Sequence, residues 1–330
     1  MRIDRDTFEE ILVTITRNKT RSLLTAFGVF WGIFMLVVLI GGAQGLREEM
    51  KSNFEGFATN SGFVASQNTS EAYKGFRKGR WWDLELADLD RVAAIEGVAL
   101  TTPSISRWGQ TAVYDENKYE SVIKGIYPEY LQIEEQDMTY GRFINNVDIH
   151  ESRKVCVIGK RVYESLFQEG EDPCGKYIQV NGIYYQVVGM SSSEGNISLN
   201  GQGTESIYIP FTTMQKAYNV GNTIDILCFV MKPGYKVSSI EEDIDRVIKE
   251  AHYIHPDDKQ AVILIDAEEL FSMVDNLFIG ISILTWMVGL GTLLAGAIGV
   301  SNIMMVTVKE RTTEIGIRRA IGAQPKDILQ

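Results

Sequence analysis

Two stretches of this chain stay free of charge for longer than the helix of a soluble core needs. No charged residue occurs between Arg21 and Arg47, and residues 23–40 are almost wholly apolar; a second uncharged run lies between Asp275 and Lys309. A helix crosses the hydrocarbon of a bilayer with about 20 apolar residues, so the runs predict transmembrane helices over 22–46 and 276–308. Core helices of soluble proteins are shorter and amphipathic. The first run also reads poorly as a cleaved leader, because Asp4, Asp6, Glu9 and Glu10 precede it and no small-residue cleavage pattern follows. The second run, as a helix of about 50 Å, exceeds a hydrocarbon layer of about 30 Å. It therefore predicts a rod that starts near Ala267 and projects beyond the outer face.

The polar segments show other periods. Phe8, Ile11, Leu12 and Ile15 are spaced for a short amphipathic helix over 1–21, lying on the membrane face or on another subunit. Between the spans, residues 84–95 have helical apolar spacing, 155–158 form a short apolar strand and 161–167 a helix. Residues 176–180 and 183–188 flank Asn181-Gly182, a strong hairpin signal. Strands are predicted at 206–210 and 224–231, a helix at 237–252, and a Ser/Gly/Asn-rich loop at 191–204 as an excursion between subdomains. The fold class expected is therefore membrane α-helical, with a large mixed α+β domain of strand-helix-strand units between two spans.

Charge assigns the sides. Arg2, Arg5, Arg17, Lys19 and Arg21 precede the first span; Lys309, Arg311, Arg318, Arg319 and Lys326 follow the second. The excess of basic residues beside a span marks the cytoplasmic side. Both ends are expected there, with 47–275 outside and 309–330 as a cytoplasmic tail. Residues 47–275 hold 22 Lys and Arg against 36 Asp and Glu, a net of −14. A polyanion would be repelled, which argues against nucleic acid as a partner.

Candidate chemistry is sparse. There is no phosphate-binding Gly-x-x-x-x-Gly-Lys-Ser/Thr loop and no Gly-x-Ser-x-Gly elbow, so neither ATP binding nor hydrolase chemistry is expected of this chain, and no cofactor. His252 and His255, at i and i+3, lack further ligands and read as helix-end residues rather than a metal site. Cys156, Cys174 and Cys228 allow at most one disulfide and read as buried thiols. Glu134-Glu135 and Glu241-Glu242-Asp243 read as solvated surface. The basic and aromatic stretch 74–82 reads as a surface loop, or as a contact for lipid headgroups or a partner protein. Small residues on one stripe let membrane helices approach closely, and Gly28, Gly32, Gly291, Ala295 and Gly299 are the candidates here.

The most informative segment follows the second span. Glu314 and Arg318 form an i, i+4 pair, Ile317 and Ile321 make an apolar stripe, and Gly322-Ala-Gln-Pro325 ends the helix. A stop-transfer segment needs only the basic residues. A two-span sensor receptor would continue into heptad-patterned helices, which this break does not favour.

Glu310-Arg-Thr-Thr-Glu-Ile-Gly-Ile-Arg-Arg-Ala-Ile-Gly-Ala323 is similar, almost residue for residue, to the coupling-helix signature of the MacB/FtsX-like permeases of ABC transporters. Arg17-Asn-Lys-Thr-Arg-Ser-Leu-Leu-Thr-Ala-Phe-Gly28 resembles that family's entry motif. So do Gly141-Arg-Phe143, Val155-Cys-Val-Ile-Gly159, Leu166-Phe167, Gly175-Lys-Tyr-Ile-Gln-Val-Asn-Gly182, Val187-Val-Gly189 and Ile209-Pro210 in the external domain. The resemblance implies four spans per subunit, two of them beyond this sequence. It also implies a bacterial inner-membrane location with a periplasmic domain, and a separate ATP-binding subunit, since no ATPase domain is fused here. A homo- or heterodimer of permeases is expected, with a periplasmic adaptor and an outer-membrane channel if the role is efflux. Glu310, Arg311, Glu314, Arg318 and Arg319 are then expected to contact the ATPase, with Ile315 and Ile317 seated in its groove. ATP-driven movement would pass up the spans to the external domain, a non-catalytic role for this chain. Lipoprotein release and control of cell-wall hydrolases are the alternatives within the family.

Overall fold

The computed structural model describes residues 19–53, 56–192 and 200–322. Most of the predicted N-terminal amphipathic helix, and the middle of the 191–204 loop, lie outside the described residues. The chain divides into two compact units, Glu49–Val274 on one hand and Met1–Glu48 with Asp275–Gln330 on the other.

Secondary structure begins with the apolar helix α1 (Lys19–Asn53), then β1 (Ser61–Ser66), β2 (Leu84–Glu85), α2 (Leu86–Ala93), β3 (Val98–Tyr114) and β4 (Asn117–Ile126). There follow β5 (Met138–Gly141), α3 (Asn146–His150), β6 (Val155–Gly159), α4 (Lys160–Leu166), β7 (Tyr177–Val180), β8 (Ile183–Ser191), β9 (Ser206–Pro210) and α5 (Phe211–Tyr218). The chain ends with β10 (Thr223–Ile224), β11 (Ile226–Met231), α6 (Glu241–Ala251), β12 (Val262–Asp266), the long apolar helix α7 (Ala267–Glu310) and α8 (Thr312–Ala320).

In the Glu49–Val274 unit, β1, α2, β3, β11, α6 and β12 form two strand-helix-strand units. Their strands lie side by side in the order β12-β1-β11-β3, all antiparallel, the arrangement of a split βαβ fold. Gly62 stands opposite Asp266 at one end of the β1–β12 ladder and Ser66 opposite Val262 at the other. Leu89 and Val92 of α2 and Ile244 and Ile248 of α6 reach the same core cluster, each pair set by the helical repeat.

The segment from β4 to β10 is inserted between β3 and β11. Its strands pair as β3-β4-β9-β6-β8-β7, and β7 returns to β3 through Ala112↔Val180, so the ladder closes into a ring. β3 serves both halves because it bends: its register to β4 shifts between Arg107 and Gln110. All of β6 is buried, as a continuous apolar run between two neighbours should be. Gly159 is required at its end, since a Cβ there would stand 2.3 Å from the Gly203 carbonyl oxygen. The predicted hairpin forms around Asn181 (φ +48°) and Gly182 (φ +84°).

Some expectations need correction. The 84–95 helix begins as strand β2, and the 237–252 helix opens with a 3-10 turn at Val237–Ser239. The 224–231 strand is interrupted at Asp225, whose carboxylate accepts from Ser106 N at 2.7 Å. Cys174 is half-buried, unlike Cys156 and Cys228, and all three are free thiols. Glu134 is not surface: it is buried and accepts from Tyr130 Oη at 2.8 Å and Gln136 Nε2 at 3.0 Å. Lys124, fully buried nearby, donates to Gly201 O at 2.9 Å. Burial pushes its ammonium down to about 8, against the opposing pull of Glu134. Hydrogen bonding from the Tyr hydroxyl and the Gln amide makes a buried carboxylate tolerable, which a glutamate pair in sequence does not announce.

Candidate functional site

The segment that carries the predicted chemistry belongs to the second unit, made of α1, α7 and α8. Both α1 and α7 are long and apolar enough to cross a membrane. At 35 and 44 residues they measure about 52 and 66 Å at 1.5 Å per residue. Asp266 caps α7, its carboxylate accepting from Glu268 N at 2.8 Å. Within α7 the hydroxyls of Thr285 and Thr292 donate to the carbonyls of Ile281 and Gly289, which satisfies them without water.

The two helices meet along an antiparallel seam. A Cβ on Gly32 would stand 3.2 Å from Thr292 Cβ, one on Gly289 1.9 Å from Leu36 Cδ1, and one on Gly296 3.1 Å from Val29 Cγ2. The contacts alternate in steps of three and four on both helices (29, 32, 36 against 296, 292, 289), which keeps a seam on one face. Outside the seam, Arg47 Nη2 and Asp275 Oδ1 pair at 3.1 Å. Of the small residues singled out in the sequence, Gly32 is buried in the seam and Gly299 is half-buried on the same stripe of α7. Gly28 and Gly291 have no atom within 4 Å of a Cβ position, and Ala295 is exposed. Successive steps of four rotate about 40° per step around a helix of 3.6 residues per turn, so the 291-295-299 set runs oblique to the seam and meets it only at Gly299. Gly289 and Gly296 are the contacts that this spacing missed.

α7 ends at Glu310, and one non-helical residue, Arg311 (φ −94°, ψ 9°), separates it from α8. Thr312 Oγ1 donates to Lys309 O at 2.8 Å and Val308 O at 3.1 Å, covering carbonyls that a helix end leaves open. α8 closes where Gly322, at φ +97°, donates to Arg319 O. Arg318 and Arg319 sit in its last turn, on the side favoured by the helix dipole. Ile317 is 59% and Ile321 79% exposed, an apolar stripe turned to the outside of the described residues. Ile315 and Arg311 are half-buried, and Glu310 is exposed. The Glu314 side chain lies outside the description.

Neither histidine gathers ligands. His252 Nε2 bonds Asp88 Oδ2 at 2.8 Å and its ring packs on Trp82 at 4.7 Å, while His255 Nδ1 accepts from Asp257 N. Asp88 also accepts from Glu85 N and Arg91. Burial raises the Asp88 pKa, but these bonds outweigh it and hold the carboxyl below its ordinary value.

A family profile described as "MacB-like periplasmic core domain" matches residues 22–247. The chain is 28% identical to "Macrolide export ATP-binding/permease protein MacB" of Rhodospirillum rubrum, over 96% of this chain and 47% of that protein. It is 27% identical to "Pyoverdine export ATP-binding/permease protein PvdT" of Pseudomonas entomophila, over 95% and 46%. The chain thus spans about half the length of the curated relatives it matches. Among solved structures, the periplasmic region of MacB from Actinobacillus actinomycetemcomitans superposes with a TM-score of 0.53 at 18% identity, covering 68% of this chain and 96% of that one. The extracellular domain of the transporter YknZ from Gram-positive bacteria gives 0.51 at 18%, covering 62% and 100%. At these identities the structural likeness concerns the fold.

Proposed function

The chain belongs to the MacB-like periplasmic core domain family of ABC transporter permeases, and from that premise we propose that it couples ATP hydrolysis in a separate subunit to movement of the Glu49–Val274 unit. The observation that carries this reading is α8, a nine-residue helix one residue beyond a 44-residue apolar helix, with an exposed isoleucine stripe beside two arginines. Stop-transfer needs the arginines alone; an exposed Ile317 and Ile321 suit a helix that docks into a protein groove.

In this reading Ile315 and Ile317 seat in the ATPase groove, and Glu310, Arg311, Glu314, Arg318 and Arg319 fix its register. Ion pairs of this kind govern partner choice more than affinity. The seam of Gly32, Gly289 and Gly296 holds α1 to α7, so that displacement of α8 moves both helices together. Residues 22–46 and 276–308 span the bacterial inner membrane, the ends are cytoplasmic and 47–275 is periplasmic. Two permeases pair, and the work done is efflux from the periplasm through an adaptor and an outer-membrane channel. The export named in the titles of the MacB and PvdT relatives supports that direction.

The test is a Glu314→Lys subunit reconstituted with its ATP-binding partner. It inserts and folds, yet ATP no longer changes the protease accessibility of the Glu49–Val274 unit. Coupling at the wild-type level overturns the assignment.

A further inference from the structure

Residues 67–83 connect β1 to β2, and nothing in the coupling scheme uses them. The loop is nevertheless firmly built. Asp258 accepts from Ser70 N, Ser70 Oγ and Glu71 N on one side and from Gln260 N and Ala261 N on the other. Thr69 and Arg80 exchange a backbone bond and a side-chain bond, and Trp82 Nε1 donates to Gln67 O at 2.8 Å. Ordering a surface loop to this degree costs conformational entropy, and its tip returns nothing to the core.

That tip presents aromatic rings and cations together. Trp81 is 67% and Phe76 44% exposed, beside the exposed Tyr253. Arg80 lies over the Phe76 ring at 4.1 Å, and Lys74 sits 5.3 Å from the Tyr253 centroid. Among the described residues no carboxylate forms an ion pair with these cations; Arg80 Nη2 donates instead to the His252 carbonyl at 2.5 Å. Six of the eight arginines between Glu49 and Val274 pair with an Asp or Glu; the other two, Arg77 and Arg80, are both in this loop. Arg77 and Lys78 make no hydrogen bond or ion pair among the described residues. Four unpaired cations in seven residues thus form a basic island on a segment whose net charge is −14.

We infer that the tip of this loop, with Tyr253, is a docking surface for an acidic segment of a partner protein, one that carries an apolar side chain for the exposed rings. Charge complementarity selects the partner: the free Arg77 guanidinium fork matches a carboxylate in bidentate geometry, and aromatic and arginine side chains are the usual anchors of interfaces. The surface is independent of whether α8 engages an ATPase.

The test uses the full chain in nanodiscs of zwitterionic lipid and a labelled peptide of ten glutamates around a central leucine. The unit's overall charge should repel such a peptide, so binding at low salt that weakens as salt rises is the expected result. Combined Arg77→Glu and Lys78→Glu should weaken it at least tenfold, whereas Lys118→Glu with Lys232→Glu, exposed lysines elsewhere, should change it less than twofold. Phe76→Ala with Trp81→Ala should abolish the preference for the leucine-containing peptide over an all-glutamate one. All these positions are exposed, and unchanged melting temperatures check that the variants fold. The proposal fails if the wild type does not bind or if both charge variants lose binding equally. It also fails if phosphatidylglycerol vesicles bind more strongly than the peptide through the same residues.

Discussion

Arg47 and Asp275 form an ion pair at 3.1 Å, about three turns of α1 and about four turns of α7 beyond the contact of Leu36 with Gly289. Each side chain is about half-exposed, so the pair is worth at most about 1 kcal/mol. Its value lies in register, because it ties α1 to α7 where the glycine seam has ended. Asp275→Arg should lower the melting temperature in detergent by a few degrees at most, and adding Arg47→Asp should restore it. A swap that restores nothing shows that the two charges do not act as a pair.

The seam itself discriminates between neighbouring glycines. Gly289→Val drives a side chain into Leu36 and should cost about 1–3 kcal/mol, the range for overpacking. Gly291→Val meets open space in this chain and should be nearly neutral. Melting temperatures of the two variants check the contrast.

The link between α2 and α6 should be sensitive to acid. Asp88 is held below its ordinary pKa in the folded chain, so its contribution is complete above the unfolded value near 3.9 and is lost as pH falls through the lower folded value. Asp88→Asn should cost about 1–3 kcal/mol at pH 7, where it leaves Arg91 without its carboxylate. The gap from wild type should narrow as pH falls through the lowered folded value. Denaturation followed by tryptophan fluorescence at neutral pH and through the acid range measures it.

Lys124 predicts a slope of the same sign in the alkaline range. Its folded pKa of about 8 lies below the ordinary lysine value of about 10.4, so the unfolded chain binds more protons between them and stability rises with pH across that window. Lys124→Met should remove this rise. Urea denaturation of both proteins from pH 7 to 10 gives the difference, and a flat difference refutes the assignment.

Sequence legibility followed the periodicity of each element. The charge-free runs and the Asn181-Gly182 turn stand out because their signals are local: length in one case, positive φ in the other. The same holds for β6 and β9, short apolar strands bounded by glycine or proline. β3 was hidden, since a strand that bends at Arg107 and serves both halves of one sheet mixes its inward and outward positions. The buried Glu134 and Lys124 were hidden for a related reason, as their partners Tyr130, Gln136 and Gly201 are assembled only by the ring. On α7 the glycine spacing announced close approach, but the face was set by the 3-4 alternation against Val29, Gly32 and Leu36.

The β1–β12 ladder has a mechanical consequence. Its Gly62–Asp266 end is the one continued by the two apolar helices, and its Ser66–Val262 end is free of them. Splaying the helices would therefore unzip this ladder pair by pair from a single end, a mode of rupture that needs little force. Driving them in step loads no rung across it. A glycine seam and an interhelical ion pair that keep α1 and α7 in step thus spare this ladder the one load that would unzip it.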